Sequence, residues 1–260
     1  MSNNLFSDNL YENTANYFDY DPRDIVKDDL DFYAEYATKT KGDILELTCG
    51  TGRVSFSLCQ KTQRHLHCLD LSKTMLSKMK TKLQTLYPNL QSKINIYKGN
   101  ISNFQFDFQF EYIIIPWRGL QVLPEEELAI NCLKCVKSHL TDNGIFIFDI
   151  FNPAGYDRNW LGKELVSYDV TDKEKRIIRS TINHYFDNNK KYIQYISKYR
   201  IIENGKEYVL EDMFTLKYYE YDEIRDILDS LNFKIKEEYG YYNKTSIKKG
   251  SEMIFICTKI

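Results

Sequence analysis

The segment Glu46-Leu47-Thr48-Cys49-Gly50-Thr51-Gly52 places two glycines one residue apart, directly after the apolar run Ile44 to Leu47 and before a stretch with helical apolar spacing. Glycine lets a chain turn sharply and lets a ligand approach the backbone closely. Asp70 stands about 20 residues further on, at the end of the next apolar run, where one carboxylate can accept hydrogen bonds from both hydroxyls of a ribose. Either feature alone occurs in plain strand-helix connections. Their joint spacing is what points to a ribose-bearing ligand. The three-glycine pattern of dinucleotide-dependent dehydrogenases is incomplete, because Ser55 occupies the third position.

The remaining reactive side chains read more blandly. Cys132 and Cys135 form a C-x-x-C pair, but they share a helical pattern with Leu128, Leu133, Val136 and Leu140. They therefore read as small core residues, and no metal site is expected, since a structural zinc needs four ligands. His184 sits in a strand-like stretch and could assist deprotonation of an acceptor, although a surface or packing role is commoner. His65, His67 and His139 take the packing reading. Tyr168, Tyr185, Tyr192, Tyr195, Tyr199 and Tyr208 cluster late in the chain. They could line an acceptor pocket, tip a sheet core with hydroxyls, or form a dimer surface.

The elements that must position these groups follow from periodicity. A covering helix runs from about Ile25 to Thr40, with Leu30, Tyr33, Ala34 and Ala37 on its packed face and Lys27, Asp28, Asp31 and Glu35 in water. Strands are expected at Ile44 to Leu47, Leu66 to Asp70, Ile94 to Lys98, Tyr112 to Ile115 and Ile145 to Phe151. Between them Ser72 caps a helix whose face is Met75, Leu76, Met79, Leu83 and Leu86, and Pro124-Glu125-Glu126-Glu127 opens another. Alternating strands and helices imply a parallel sheet covered on both faces. After about Tyr156 the chain turns to β-branched and tyrosine-rich runs punctuated by Asp187-Asn188-Asn189-Lys190 and Glu203-Asn204-Gly205-Lys206, which predict an antiparallel meander. A helix near Tyr221 to Leu231 and strands near Phe233 to Tyr239 and Met253 to Thr258 close the chain. The domain reading is residues 1–155 as the ligand-binding core, 156–219 as the insertion, and 220–260 as completion of the sheet.

The 260 residues carry a formal net charge of -2, with Lys and Arg dispersed, so no grip on a nucleic-acid backbone is advertised. No apolar run reaches the about 18 residues of a membrane span, and the first residues lack a signal core. A cytoplasmic protein with no membrane partner is expected, as a monomer or a homodimer.

Taken in order, LELTCGTGR, LDLSKTML, KGNISNF, PWRGLQ and GIFIFDIFNP resemble the successive motifs of class I S-adenosylmethionine-dependent methyltransferases, over about Asp43 to Pro153. The style is that of bacterial small-molecule members, including sugar-amine N-methyltransferases and glycine N-methyltransferase, which also carry a late antiparallel insertion. The resemblance implies a Rossmann-like α/β fold: a seven-stranded mixed sheet flanked by helices, with an inserted antiparallel β subdomain. It implies methyl transfer from S-adenosyl-L-methionine to a small-molecule acceptor, leaving S-adenosyl-L-homocysteine. A cofactor-binding scaffold without catalysis is the alternative.

By the same resemblance, Glu46, Gly50 and Gly52 would bound the methionine end of the cofactor, and Asp70 would hold the ribose. Leu71 and Met75 would flank the adenine, and Asn100 and Ile101 would meet its edge. Pro116 would belong to the turn after the fourth strand, from which Trp117, Arg118 and Gln121 face the methyl-transfer site. Tyr20 and Arg23 would reach the cofactor carboxylate. Two departures stand out. Thr48 occupies a position where the family often has glycine, which it can fill if its backbone stays in the ordinary region, and Asn100 replaces a frequent aspartate.

Overall fold

The computed structural model describes residues 11–23, 27–155 and 158–260, apart from the side chains of Arg158, Tyr185 and Phe186. The helix start read at Ile25, the onset of the insertion at Tyr156, and the candidate Tyr185 side chain lie outside the described residues.

Helix α1 (Asp28–Ala37) leads into β1 (Ile44–Leu47), α2 (Arg53–Thr62), β2 (Leu66–Asp70), α3 (Lys73–Thr85) and β3 (Ile94–Lys98). The chain then crosses back through β4 (Phe110–Ile115), α4 (Glu126–His139) and β5 (Leu140–Phe151). Four long strands follow, β6 (Glu164–Asp172), β7 (Lys175–Asp187), β8 (Tyr192–Glu203) and β9 (Lys206–Lys217). The chain closes with α5 (Tyr221–Ser230), β10 (Phe233–Tyr239) and β11 (Glu252–Lys259).

Seven strands make one mixed sheet in the order β10-β11-β5-β4-β1-β2-β3, and β6 to β9 make a separate antiparallel sheet. The expected architecture is present. In the large sheet β1 pairs in parallel with both β2 and β4, and β11 alone is reversed, pairing antiparallel with β5 on one side and β10 on the other. Its central strands are buried on both faces: every residue of β1 is inaccessible, as are Tyr112 to Ile115 of β4. That explains why they read as continuous apolar runs rather than alternating ones. Because the chain leaves β1 toward β2 and later returns to its other side as β4, the carboxyl ends of β1 and β4 border the crevice where sheets of this kind bind ligands.

Local chemistry fixes the joints. Ser72 Oγ accepts the Met75 N–H at 3.3 Å and caps α3. The β8–β9 turn uses Asn204 (φ 52°) and Gly205 (φ 71°), both in the left-handed region that a two-residue hairpin turn demands. Two helical faces differ from expectation. On α1 the packed set is Asp29, Phe32, Tyr33, Ala34, Tyr36 and Ala37, with Leu30 only half-buried, because Asp29 is drawn inward by an ion pair. On α3 the helix ends at Thr85, which leaves Leu86 65% exposed and outside the face assigned to it.

Candidate functional site

The β1–α2 connection is a left-handed turn. Thr48 (φ 58°), Gly50 (φ 56°) and Gly52 (φ 86°) all have positive φ. A side chain on Gly52 would press on Phe56 at 2.8 Å and Met79 at 2.9 Å, so close helix packing demands glycine there. A side chain on Gly50 would meet nothing within 4 Å, so this glycine faces open space. Thr48 does not keep to the ordinary backbone region on which its tolerance rested. A β-branched residue at positive φ is strained. Its Oγ1 donates to the Leu47 carbonyl at 2.6 Å, and the close approach of Gly119 leaves it no other room.

Asp70 closes the turn from the neighbouring strand, its Oδ2 accepting the Gly50 N–H and its Oδ1 the Ser72 N–H, each at 2.8 Å. Burial raises its carboxyl, and the N–H groups of Ser72, Gly50 and Leu71 oppose that shift. Each carboxylate oxygen has two lone pairs, so the group can hold the turn and still accept ribose hydroxyls. Met75 lies buried beside it and Leu71 is exposed. An open glycine, an acceptor-rich carboxylate and a flexible apolar wall suit a nucleoside cofactor. Ile101 is buried, and Asn100 Oδ1 accepts both the N–H and the hydroxyl of Ser102 at 2.9 Å, which fixes the β3 exit.

Glu46 is buried at the centre of β1 and accepts the Ser55 hydroxyl of α2. Burial pushes its carboxyl up to about 8, with the Ser55 hydrogen bond and the Arg53 charge opposing.

A second left-handed turn ends the adjacent strand. After buried Pro116, both Trp117 (φ 53°) and Arg118 (φ 63°) are left-handed without being glycine. Their N–H groups are accepted by the two oxygens of Asp149, at 2.8 and 2.9 Å. Trp117 is 39% exposed, with the Arg53 guanidinium 4.4 Å from its ring centroid. Arg53 is held bidentately by Asp29 at 2.6 Å. Arg118 pairs bidentately with buried Glu252 of β11. Gln121 is wholly buried, its amide spanning the Phe151 N–H and the Lys217 carbonyl at 2.7 and 2.8 Å. It ties β5 to β9 rather than presenting a group to the crevice.

Residues 11–23 join the small sheet to the β1–α2 turn and to α3. Asn13 and Thr14 donate to Asp212 of β9, while Asp19 accepts the Thr51 hydroxyl at 2.6 Å and the Lys82 ammonium at 2.9 Å. An aromatic series runs from Tyr195 through Phe214, Tyr11 and Phe18 to Trp117, at centroid spacings of 4.3, 5.3, 5.3 and 6.5 Å. Tyr20 packs on Tyr17 and the core of the small sheet. Arg23 pairs with Asp21 and lies 5.9 Å from the Tyr168 ring centroid. These two side chains are thus placed against the insertion, and Asp19 is the residue of this segment that touches the glycine turn.

Among the insertion tyrosines, Tyr168 and Tyr199 are core residues with Ile177 and Ile201, as in the hydroxyl-tipped reading. Tyr208 bonds Tyr17, and Tyr192 donates to the Pro124 carbonyl. His184 is exposed at a β7 bulge. His67 and His139 are packed and hydrogen-bonded, and Cys132 lies in the main core. An open hollow of about 730 Å³, lined by Gln109, Lys134, Lys137, Asp142 and Lys259 among others, lies at the opposite end of the sheet. That is the wrong end for ligand binding in such folds. Arg53, Asp29 and Asp149 are additions to the site. Arg53 and Asp149 each stood within a quoted motif, LELTCGTGR and GIFIFDIFNP, whereas nothing local marked Asp29.

Residues 44–144 match a family model described as a methyltransferase domain. The protein YqeM of Bacillus subtilis (strain 168), which bears a provisional methyltransferase name, is 30% identical over 143 residues, 54% of this chain and 55% of its own. The chain thus spans about half the length of the curated relatives it matches. An S-adenosylmethionine-dependent methyltransferase from Clostridium acetobutylicum ATCC 824 superposes with a TM-score of 0.76 at 21% identity, covering 93% of this chain and 94% of that one. The sugar N-methyltransferase KedS8 from Streptoalloteichus sp ATCC 53650 superposes with a TM-score of 0.77 at 12% identity, covering 100% and 97%. The family match is confined to residues 44–144, and across the rest of the chain the likeness to these solved methyltransferases is one of fold. No helix among the described residues is long and apolar enough to cross a membrane.

Proposed function

We propose that the chain transfers the methyl group of S-adenosyl-L-methionine to a small-molecule acceptor by in-line displacement. The observation that carries this reading is the glycine turn closed by Asp70, with open space before Gly50. Asp70 would hold the ribose, Leu71 and Met75 would flank the adenine, and Glu46, Gly50 and Gly52 would bound the methionine end. The cofactor supplies an already activated, sulfonium-borne methyl group. What is left to the protein is alignment of the acceptor and exclusion of water. Trp117, Arg118 and the aromatic series from Tyr195 supply the walls for this. Residues 11–23, anchored at β9 and at the β1–α2 turn and α3, would cover the crevice.

An acceptor presenting an amine is the preferred class. KedS8 is named for sugar N-methylation, and the crevice here is walled by aromatic rings whose faces favour cations. The arginines nearest it, Arg53 and Arg118, are already engaged by Asp29 and Glu252.

Calorimetric titration of S-adenosylmethionine and S-adenosylhomocysteine into the ligand-stripped protein tests the first half. Micromolar-range binding, lost in Asp70→Ala, supports it, and absence of binding rejects it. Methyl transfer to a panel of amino sugars and small amines tests the second. Tight cofactor binding with no transfer to any acceptor class would favour the scaffold reading.

A further inference from the structure

Asp149 belongs to the GIFIFDIFNP motif, yet the proposed reaction assigns it no task. It is completely buried on β5 and receives three donors: the Tyr33 hydroxyl at 2.6 Å and the Trp117 and Arg118 N–H groups at 2.8 and 2.9 Å. The last two come from consecutive non-glycine residues in the left-handed region, one of them tryptophan. Such residues persist only where their surroundings over-determine them. Pro116 fixes the entry to this turn, and Asp149 is the side chain whose two oxygens grip its paired N–H groups.

We propose that Asp149 is a positioning residue. Its carboxylate locks the left-handed Trp117–Arg118 pair and so aims both side chains into the acceptor crevice, one toward Arg53 and the other toward Glu252. The inference rests on the acceptor-side reading of this turn for its functional meaning, but its structural half is testable without cofactor or acceptor.

The mechanism requires the ionised form. A carboxylate offers acceptor pairs on both oxygens, whereas a protonated carboxyl or an amide puts a donor on one of them, opposite an N–H. The charged and titratable groups around Asp149 are Tyr33 and Asp29 from α1, Tyr242 from the β10–β11 connection, Glu252 from β11 and Arg118 from the turn itself. Burial and then the Glu252 charge push its carboxyl up to about 6, against the hydrogen bonds from Tyr33 and Arg118. The lock is therefore held above that pH and loosens below it.

The chain has two tryptophans, so Trp160→Phe leaves Trp117 as the sole indole reporter. Its emission, stacked beneath Arg53, should titrate between pH 5 and 7.5 with a midpoint near 6. Asp149→Asn in that background should abolish the transition. Glu252→Gln should move it downward, because a like charge has been removed. In methyl transfer Asp149→Asn should lower kcat on the order of 10- to 100-fold, the scale of an ångström-level misplacement. Its Kd for S-adenosylmethionine should stay within about threefold, under half the ~1.4 kcal/mol of a tenfold change. An unchanged titration in folded Asp149→Asn, or none in the Trp160→Phe protein, would overturn the proposal. If Asp149→Asn does not fold, the Trp160→Phe titration and its response to Glu252→Gln still decide it.

Discussion

Two turns leave adjacent strands at the centre of the large sheet, and they are built on the same plan from opposite materials. Each contains consecutive or near-consecutive left-handed residues, and each is gripped by an aspartate from the strand beside it: Asp70 of β2 for the turn after β1, Asp149 of β5 for the turn after β4. In the first turn glycines provide the conformation and leave space. In the second, Trp117 and Arg118 accept the same strain and project side chains. On the function proposed above, the comparison separates two tasks: bare backbone would make room for the cofactor, and strained side chains would shape the wall that the acceptor meets.

The two aspartates offer the sharpest way to break that division. Asp70→Asn should weaken S-adenosylmethionine binding by roughly 10- to 100-fold, the value of a charge-assisted hydrogen bond, while Asp149→Asn leaves it nearly intact. Parallel calorimetry checks both. Equal losses would mean that the turns do not divide the work.

The turns also touch. A Cβ on Gly119 would lie 2.1 Å from Thr48 Oγ1 and 2.9 Å from Ile115 Cγ2. Gly119→Ala should therefore destabilise by about 1–3 kcal/mol, and Thr48→Gly should recover part of that loss in the double variant, a coupling of about 1 kcal/mol. Denaturant melts of the four proteins would measure it, and strict additivity would show that the two turns are independent.

A smaller effect concerns pH. The Glu46 carboxyl is raised above its unfolded value, so its stabilising contribution is complete below that value and is lost as pH rises through about 8. Glu46→Gln removes this loss. Its melting temperature relative to wild type should therefore rise between pH 6 and pH 9, and a flat difference would refute the buried-acid reading.

Sequence patterning made the glycine turn legible only jointly with Asp70, because the glycine pair and an acid about 20 residues on, at the next strand end, say together what neither says alone. The strands were legible because both faces of β1 and β4 are apolar. The second turn was not. Positive φ in tryptophan and arginine leaves no mark on residue type, and Asp149 reads like any acid near a strand end. The Asp29–Arg53 pair was hidden for another reason: apolar periodicity sends a carboxylate to the wet face, and only a partner 24 positions away brings it inside. Gln121 reads as an acceptor-side residue from its place after the turn, but its amide is spent on the Phe151 N–H and the Lys217 carbonyl. Tyr20 and Arg23 look suited to an anion, but Asp21 and the insertion engage them.

The contacts of residues 11–23 also set an order of events in biosynthesis. The hydrogen bond from Asn13 to Asp212 spans 199 positions, so it cannot form until β9 has been made. Domains assemble from their amino ends as they are synthesised, and contacts so distant along the chain are the slowest to close. The segment over the glycine turn is thus among the first stretches translated and among the last to settle. A nascent chain arrested before residue 212 would have β1 to β5 in hand and this segment held only at its Asp19 end, by Thr51 and Lys82.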